Sequence, residues 1–213
     1  MISAWWILAY GLYHVVWSGV LMGWVSRREI TEALCPAPGA TWIGNGGKLL
    51  GALVMSSFNV LVSGFCVYRF SEYQSELPPE SFGVWLKQLV WCALWADIWF
   101  YTTHRLLHWP VLYRYIHSWH HRWHRPLPWV TYDAHPLEHL LTNTGSMLVP
   151  LMLVGPTSSL LVHSWVLLVI TQATLSHAGP WPWSSHERHH THFQVHYGLS
   201  LFMDRWLQTQ DEQ

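Results

Sequence analysis

HSWHH at residues 117–121 and HERHH at residues 186–190 repeat one pattern, in which a histidine is followed three and four positions later by two more. A third string, HRLLH at 104–108, precedes the first cluster. Thirteen of the sixteen histidines lie within 104–139 and 186–196, although histidine is normally scattered along a chain. Because neutral imidazole is the commonest metal ligand in proteins, this clustering predicts a metal site.

The spacing within each string brings its histidines together. On a helix, residues three and four positions apart share a face, with side chains about 5–6 Å apart. One tetrahedral zinc is saturated by four ligands, so eight converging imidazoles suit two metal ions better than one. The spacing therefore predicts a dimetal site with several protein ligands on each ion and a position left for exchange. The eight histidines are His104, His108, His117, His120, His121, His186, His189 and His190.

The composition indicates a membrane protein. Only 11% of the 213 residues are charged and 51% are hydrophobic, whereas a soluble domain carries about 25% charged residues. The seventeen tryptophans fit the membrane–water interface, where the ring is half buried and its N–H stays hydrated. The net charge of −1 gives no indication of a nucleic-acid partner, and the three cysteines lack the spacing of a cysteine zinc site.

Four apolar regions have the character of membrane segments. About 20 apolar residues cross the roughly 30 Å hydrocarbon layer, and the fourth region is a hairpin broken at Gly155-Pro156. We therefore expect an all-α integral membrane helical bundle with about four transmembrane segments or hairpins. We expect a single domain, 1–213, with N-terminal membrane helices in 1–83 and a catalytic region in 84–209. The four apolar regions are 4–25, 49–68, 84–103 and 140–176.

The charges of two loops predict the orientation of these segments. Loop 26–48 carries three basic residues against two acidic ones, whereas loop 69–83 carries one basic residue against three acidic ones. Because basic loops stay on the cytoplasmic side, the first loop should be cytoplasmic. Counting crossings from there puts every clustered histidine on the same side. We therefore expect a cytoplasmic, histidine-rich helical cap that holds the dimetal site.

Two short strings favour a different metal chemistry. HERHH contains the HExxH motif of zinc proteases, with Glu187 as the base, and HPLEH at 135–139 contains the inverse motif. Both strings are short enough to arise by chance in a histidine-rich chain. A zinc hydrolase would also leave HRLLH and HSWHH without a role. A metal carrier or sensor without catalytic activity is the third class that these residues leave open.

At this point the residues resemble a known family. HRLLH, HSWHH, YDAHPLEH, LSHAG, and HERHH followed by FQVHYGLSLFMDRW look like the fatty acid hydroxylase/sterol desaturase superfamily, over roughly residues 85–209. That family combines HxxxH with two HxxHH clusters, has an HPxE element between them, and has an Asn-Tyr-Gly element and a Trp-Asp element after the last cluster. The resemblance implies a membrane enzyme with a histidine-ligated di-iron centre that uses O₂ to hydroxylate or desaturate a C–H bond of a lipid, either a sterol, a fatty acyl chain or a related lipid. It implies reducing equivalents from a separate redox protein, ferredoxin-like or cytochrome b5-like.

The resemblance also implies a ligand set. It implies that the eight histidines above and His177 in LSHAG are metal ligands. It implies no catalytic residue other than these ligands. It leaves open whether the residues of HPLEH are ligands, partners of ligands or structural. The role of Asp97, in the third apolar region, is open in the same way. The residues with open roles are His135, Glu138, His139, His196, Asp97 and Asp204.

Two departures from the family pattern leave the lipid substrate open. His196 stands where the family has Asn before Tyr-Gly, and Met203 stands where it often has Trp before Asp204. His196 could add a ligand or only form a hydrogen bond. A carotenoid-type hydroxylase is a neighbouring alternative, since these enzymes are also short and rich in histidine.

Overall fold

The structure is a computed structural model. It describes residues 5–25, 30, 42–72, 77–178, 186–199 and 202–211, with the backbone alone for 42–46. Within these residues the fold is all-α, which confirms the predicted class, and a single isolated bridge pairs Leu77 with Ser158. Several of the charges that predicted the orientation lie outside the described residues: Arg27, Arg28, Glu29, Glu32 and Glu76.

Three long helices form the N-terminal part of the molecule. They are α1 (Trp5–Met22), α2 (Trp42–Glu72) and α3 (Phe82–Leu107). Of the described helices, two are long and apolar enough to cross a membrane by length and composition, namely α1 and the part of α2 from Gly47 to Glu72. The third predicted segment, α3, carries Lys87 and Asp97 within its apolar run.

Shorter helices form the rest of the chain. The predicted hairpin is present as two helices, Gly145–Val154 and Ser159–Leu175, and the break falls at Gly155, whose φ of 91° suits a glycine. The remaining elements are α4 (Pro110–Tyr115), 3-10 helices at His117–Arg122 and Pro128–Val130, α5 (Pro136–Glu138), a π-helix (His139–Thr144), α6 (Gly145–Val154), α7 (Ser159–Leu175), α8 (His186–His192) and α9 (Phe202–Trp206).

Helices α1 and α2 bury polar as well as apolar side chains and expose rows of apolar residues. On α2, Ser56, Asn59 and Ser63 are buried, whereas Val54, Phe58, Leu61 and Phe65 are exposed; on α1, His14 and Ser18 are buried while Leu8, Leu12 and Val16 are exposed. Exposed apolar residues three or four positions apart form a continuous stripe along a helix. A soluble protein rarely exposes such stripes, whereas buried small polar residues are typical of helices that pack within a membrane.

A tryptophan secures the π-helix that carries the HPLEH element into α6. Trp99 Nε1 on α3 donates a hydrogen bond to the carbonyl oxygen of Leu141, 2.8 Å away. The indole lies so close that a Cβ at Gly145 would be 2.4 Å from Trp99 Nε1. Gly145 therefore permits the close approach of α3 and α6, which fixes Glu138 and His139 relative to the histidines at the end of α3.

Candidate metal centre

Nine imidazoles converge into two groups beside the C-terminal end of α3. Within each group, one ring nitrogen of every residue lies within 4.8 Å of the others. These are the nine histidines that the sequence predicted as ligands, and among the described residues no other histidine joins either group. The five-histidine group contains His104, His108, His117, His121 and His189; the four-histidine group contains His120, His177, His186 and His190.

The two groups interlock, because each HxxHH cluster contributes histidines to both of them. His117 and His121 join the five-histidine group, whereas His120 between them joins the other group. His189 likewise separates from its neighbours His186 and His190. The grouping follows from which elements meet: His120 Nε2 lies 3.1 Å from His190 Nε2 on α8, and His189 Nε2 lies 3.0 Å from His108 Nε2 at the end of α3.

One nitrogen of the five-histidine group has more close nitrogen neighbours than hydrogen bonding can explain. His117 Nε2 lies 3.0 Å from His104 Nε2, 3.1 Å from His108 Nε2 and 3.0 Å from His121 Nε2. A ring nitrogen offers one proton or one lone pair, so it cannot bond to three other nitrogens at once. Nitrogens about 2.0–2.1 Å from one cation, at angles between about 90° and 109°, would lie about 2.8–3.4 Å apart. The residues present therefore fit a shared cation.

The four-histidine group has the same character. His190 Nε2 lies 3.1 Å from His120 Nε2 and 3.2 Å from His186 Nε2, and the last two are 3.3 Å apart. His177 Nε2 is buried without a hydrogen-bond partner among the described residues. A buried nitrogen without a partner is unfavourable, so His177 also fits a ligand role.

Backbone carbonyls select the tautomer of several of these histidines. His104 Nδ1 donates to the Tyr197 carbonyl at 2.8 Å, and His189 Nδ1 donates to the Val195 carbonyl at 2.7 Å. His177 Nδ1 donates to the carbonyl of Ala173, also at 2.7 Å. With the proton on Nδ1, the lone pair is on Nε2, which is the nitrogen that points into the group.

Burial keeps these imidazoles uncharged at neutral pH. It lowers the pKa of His108 and of His120 to about 4, and that of His189 to about 3. Desolvation disfavours the charged imidazolium, and the neighbouring histidines add repulsion between like charges. A neutral imidazole retains the lone pair that a metal ligand needs.

The three residues of HPLEH with open roles have different surroundings. Glu138 is buried, and its Oε1 lies 2.8 Å from His117 Nδ1, behind the five-histidine group. His135 accepts a hydrogen bond from the Leu137 amide at 3.2 Å, and His139 Nε2 lies 2.7 Å from Ser63 Oγ on α2. Glu138 thus contacts a histidine of the site, whereas the other two stabilise the local fold.

Asp97 and Asp204 hold the segment that supports His104. Asp204 accepts hydrogen bonds from the Tyr197 and Gly198 amides at 2.8 and 2.7 Å, and Asp97 accepts them from the Leu199 and Met203 amides at 2.7 and 2.9 Å. Both carboxylates are fully buried. They fix the loop after α8 and, through the Tyr197 carbonyl, the orientation of His104.

His196 lies outside both histidine groups. Its Nε2 pairs with the carboxylate of Asp211, and its backbone amide donates to the Thr209 carbonyl at 2.9 Å. The residue has a φ of 58°, in the left-handed region where Asn is favoured among non-glycine residues. His196 therefore connects the C-terminal segment to the loop after α8 and does not add a nitrogen to either group.

Sequence reasoning missed Asp133, which holds the first HxxHH cluster in place. Its buried carboxylate accepts hydrogen bonds from Arg122 Nε at 2.8 Å, Trp119 Nε1 at 3.2 Å and Trp123 Nε1 at 2.5 Å. In the sequence Asp133 stands out only as part of the YDAHPLEH element, which does not show its partners. Tyr197 and Val195 act through backbone carbonyls, so their side chains gave no signal at all.

An apolar cavity of about 340 Å³ lies beside the histidine groups, between α2, α3, α6 and α7. A small polar pocket next to it is lined by histidines of both groups, including His104, His117 and His186. The cavity and the pocket share part of their walls. The shared residues are Phe100, Asn143, Gln172, Ala173 and Leu199. A hydrocarbon group in the cavity would thus lie next to the converging Nε2 atoms.

The family to which this arrangement belongs follows from comparison with known proteins. The family model for fatty acid hydroxylase matches residues 89–209, which is more than half of the 213-residue chain. The matched region contains both histidine groups, Glu138, Asp97 and Asp204. The chain belongs to the fatty acid hydroxylase family.

Curated relatives carry several different activities in their names. C-4 methylsterol oxidase erg25 of Schizosaccharomyces pombe is 34% identical over 61% of this chain and 47% of its own length. Fatty acid hydroxylase domain-containing protein 2 of Homo sapiens is 35% identical over 61% of this chain and 39% of its own length. Very-long-chain aldehyde decarbonylase GL1-11 of Oryza sativa is 31% identical over 68% of this chain and 52% of its own length.

The chain thus spans about half or less of the length of the first two relatives. No solved structure matches it.

Proposed function

We propose that this protein is a membrane-bound oxygenase that holds two iron ions and uses O₂ to hydroxylate or desaturate a C–H bond of a lipid. The proposal rests on one observation: the two imidazole groups lie next to one apolar cavity. A hydrocarbon is unreactive towards the acids, bases and nucleophiles of a protein, so a site that brings it to nine imidazoles favours metal-based oxidation. Relatives named oxidase and hydroxylase support the same chemistry.

The proposed ligands are the residues of the five-histidine and four-histidine groups. Imidazole accommodates zinc, copper, iron and nickel, and iron is proposed because the family resemblance implies it. When bound, the iron ions would supply the activation of O₂ and the removal of hydrogen from the C–H bond.

The chain itself supplies orientation and a dry environment. Carbonyls of Tyr197, Val195 and Ala173 keep three imidazoles in the ligating tautomer, and Glu138 supports His117. Phe100 and Leu199 line both the polar pocket and the apolar cavity, and so lie where the two meet. We assign each of these residues a role in positioning.

We propose that the bundle lies within a membrane, with the histidine groups on the cytoplasmic side. Apolar stripes on α1 and α2 and their buried polar residues support the membrane placement. The predominance of basic residues in loop 26–48 supports the orientation. The lipid would enter the cavity sideways, since Ala93 of α3 and Leu168 of α7 line the cavity and are also exposed on the outer surface.

Electrons would come from a separate redox protein, ferredoxin-like or cytochrome b5-like. A separate donor is proposed because the family resemblance implies one. The lipid class stays open between sterol, fatty acyl and related chains, since the relatives differ in what their names say they act on.

A zinc hydrolase based on HERHH is less well supported. His186 and His190 do share a group, but Glu187 lies outside it, with its Oε1 3.9 Å from Arg125 Nη1. A hydrolytic base must reach a metal-bound water, and the carboxylate of Glu187 is not among the groups that converge with the two histidines. The hydrolase alternative would also leave the five-histidine group without a function.

Lipid analysis under ¹⁸O₂ tests the proposed function. Cells that express the chain should contain a lipid with one ¹⁸O atom added or with two hydrogens removed, and cells with His104→Ala should not. Glu187→Gln should retain the activity, since its side chain lies outside both groups. Loss of activity in Glu187→Gln with full activity in His104→Ala would contradict the proposal and favour hydrolysis.

A further inference from the structure

The loop after α8 supports one ligating histidine and has an uncommon backbone conformation. The Val195 carbonyl accepts the hydrogen bond from His189 Nδ1 at 2.7 Å. Phe193 and His196, within two residues of Val195, both have a left-handed backbone, with φ of 53° and 58°. This conformation is uncommon for residues other than glycine and is an outlier for a bulky residue such as Phe. A strained segment of this kind persists only where its surroundings hold it in place.

One carboxylate connects the two ends of this loop. Asp211 Oδ2 lies 2.6 Å from Arg188 Nη2 on α8, and Asp211 Oδ1 pairs with His196 Nε2. Arg188 directly precedes the proposed ligand His189. His196 directly follows Val195. Asp211 therefore joins the residue before the ligand to the residue after the carbonyl that orients this ligand.

The segment that carries Asp211 is anchored to the interior of the protein. The Thr209 amide donates to the Asp204 carbonyl at 2.8 Å, and Thr209 Oγ1 donates to Asp204 Oδ1 at 2.7 Å. The Thr209 carbonyl accepts the hydrogen bond from the His196 amide at 2.9 Å. Two residues further on, the side chain of Asp211 is only 21% exposed, so its charge is screened less than that of a fully exposed pair.

We propose that Asp211 is a positioning residue for the five-histidine group. By pairing with Arg188 and His196, it keeps the loop in its strained conformation. This conformation in turn keeps the Val195 carbonyl on His189 Nδ1, so that the lone pair of His189 Nε2 stays directed at the other four histidines. The inference rests on the proposed function in one respect, namely that the histidine groups bind metal ions.

The effect of Asp211 should be confined to one of the two histidine groups. His189 belongs to the five-histidine group, whereas His190 beside it belongs to the four-histidine group. The loop gives His190 no corresponding support, since His190 Nδ1 has no hydrogen-bond partner among the described residues. A general loosening of α8 would instead weaken both groups. Comparison of the two groups therefore separates positioning of His189 from a purely structural role.

Binding of Co²⁺ to the full chain in lipid nanodiscs tests this inference without requiring turnover. His120→Ala leaves the five-histidine group complete and His121→Ala leaves the four-histidine group complete, so each group is measured alone. Competition with a chelator gives the affinity, and the visible absorption of bound Co²⁺ reports the geometry of its ligands. Asp211→Asn should weaken binding in the His120→Ala chain by about 10-fold, the lower end of the range for partners of a ligating histidine, and should alter the absorption. In the His121→Ala chain, it should change neither quantity, which also shows that the variant is folded.

Further variants in the His120→Ala chain test the same contacts. Asp211→Glu keeps the carboxylate and should retain most of the affinity. His196→Asn removes the pair with Asp211, but Asn is favoured in the left-handed region, so it should lose less affinity than Asp211→Asn. Once His196→Asn is present, Asp211→Asn should cost less than it does alone, since the two residues act together. Gln210→Asn is the matched control: Gln210 is exposed beside Asp211, and its substitution should leave the affinity unchanged.

Three results would overturn the inference: unchanged Co²⁺ affinity of the five-histidine group in Asp211→Asn, equal losses at both groups, or no binding of Co²⁺ by the native chain. The third result would also count against the proposed function. A protein that binds Co²⁺ as described but oxidises no lipid would disprove the proposed function and leave this inference standing.

Discussion

Gly198 is the residue on which the support of His104 depends most sensitively. A Cβ at this position would lie 2.8 Å from Asp97 Oδ1 and 2.9 Å from Asp204 Oδ2. Both carboxylates are buried and receive backbone amides, so neither can move without losing hydrogen bonds. A glycine is therefore needed here for the close approach of two carboxylates to the backbone.

Gly198→Ala should destabilise the protein by about 1–3 kcal/mol, the range for overpacking a tight site. It should also weaken metal binding, because the Tyr197 carbonyl that orients His104 would shift. Gly51→Ala on α2 is the control, since nothing lies within 4 Å of an added Cβ there and alanine favours a helix. Thermal unfolding of both variants checks the prediction, and an equal melting temperature for both would contradict it.

Substitution of Glu138 tests whether its contact with His117 supports metal binding. Glu138→Ala should weaken the binding of the ion at the five-histidine group by about 10–100-fold, the usual effect of removing a partner of a ligating histidine. Glu138→Gln keeps an oxygen that can accept the His117 Nδ1 proton and should lose much less. Titration with a competing chelator measures both affinities. Equal losses in the two variants would contradict the view that the Glu138 oxygen beside His117 Nδ1 is what supports this histidine.

At the level of elements, each HxxHH cluster contributes to both histidine groups, which links the two groups structurally. The 3-10 helix at His117–Arg122 contributes to both groups, and so does α8. Each helix therefore places the two groups in a fixed relation to one another. Disturbing either helix should affect both sites, whereas changing one histidine should affect one.

Substitution of neighbouring histidines tests this grouping. His120→Ala and His121→Ala should each lower the metal content from two ions to one, although the residues are adjacent. The double variant should hold none, while His120→Ala combined with His186→Ala should still hold one, because both belong to the four-histidine group. His124→Ala is the control, since His124 is exposed and outside both groups. Elemental analysis gives the counts; one ion in the His120/His121 double variant would contradict the grouping.

The sequence predicts the members of the site better than their arrangement. The spacing of four residues correctly pairs His117 with His121 and His186 with His190, since it depends on one helix only. His120 and His189 each join the histidines of the other cluster, and this depends on how separate helices pack together. A local sequence pattern cannot predict that packing. Asp133 was missed for the same reason: its partners are brought together by the tertiary fold.

At the level of the whole molecule, α1 and α2 expose rows of apolar residues and bury polar residues among apolar ones, which is unusual for a soluble bundle. The sequence predicted a membrane bundle from its composition, and α1 and α2 have the required length and hydropathy. The count of four segments could not be predicted as firmly, because α3 combines apolar faces with Lys87 and Asp97. In the structure Asp97 accepts hydrogen bonds from the backbone amides of Leu199 and Met203, in the segment that supports His104.

An exposed apolar residue on α2 tests the membrane placement. Phe58 is 50% exposed, and Phe58→Lys would be nearly neutral in water but should cost about 2.5–3.5 kcal/mol at the centre of a bilayer. We expect a lower yield in the membrane fraction and a lower melting temperature in nanodiscs. Gln210→Lys in the exposed C-terminal segment should change neither quantity. Unchanged behaviour of Phe58→Lys would argue against a lipid-facing α2.

Metal analysis of the full chain, purified without a nickel column, tests the central claim most directly. Two histidine groups of five and four imidazoles should hold two ions per chain, and we expect both to be iron. The content should fall to one on His177→Ala and to one on His104→Ala. A single zinc per chain that depends on His186 and His190 and is indifferent to His104 would contradict the account.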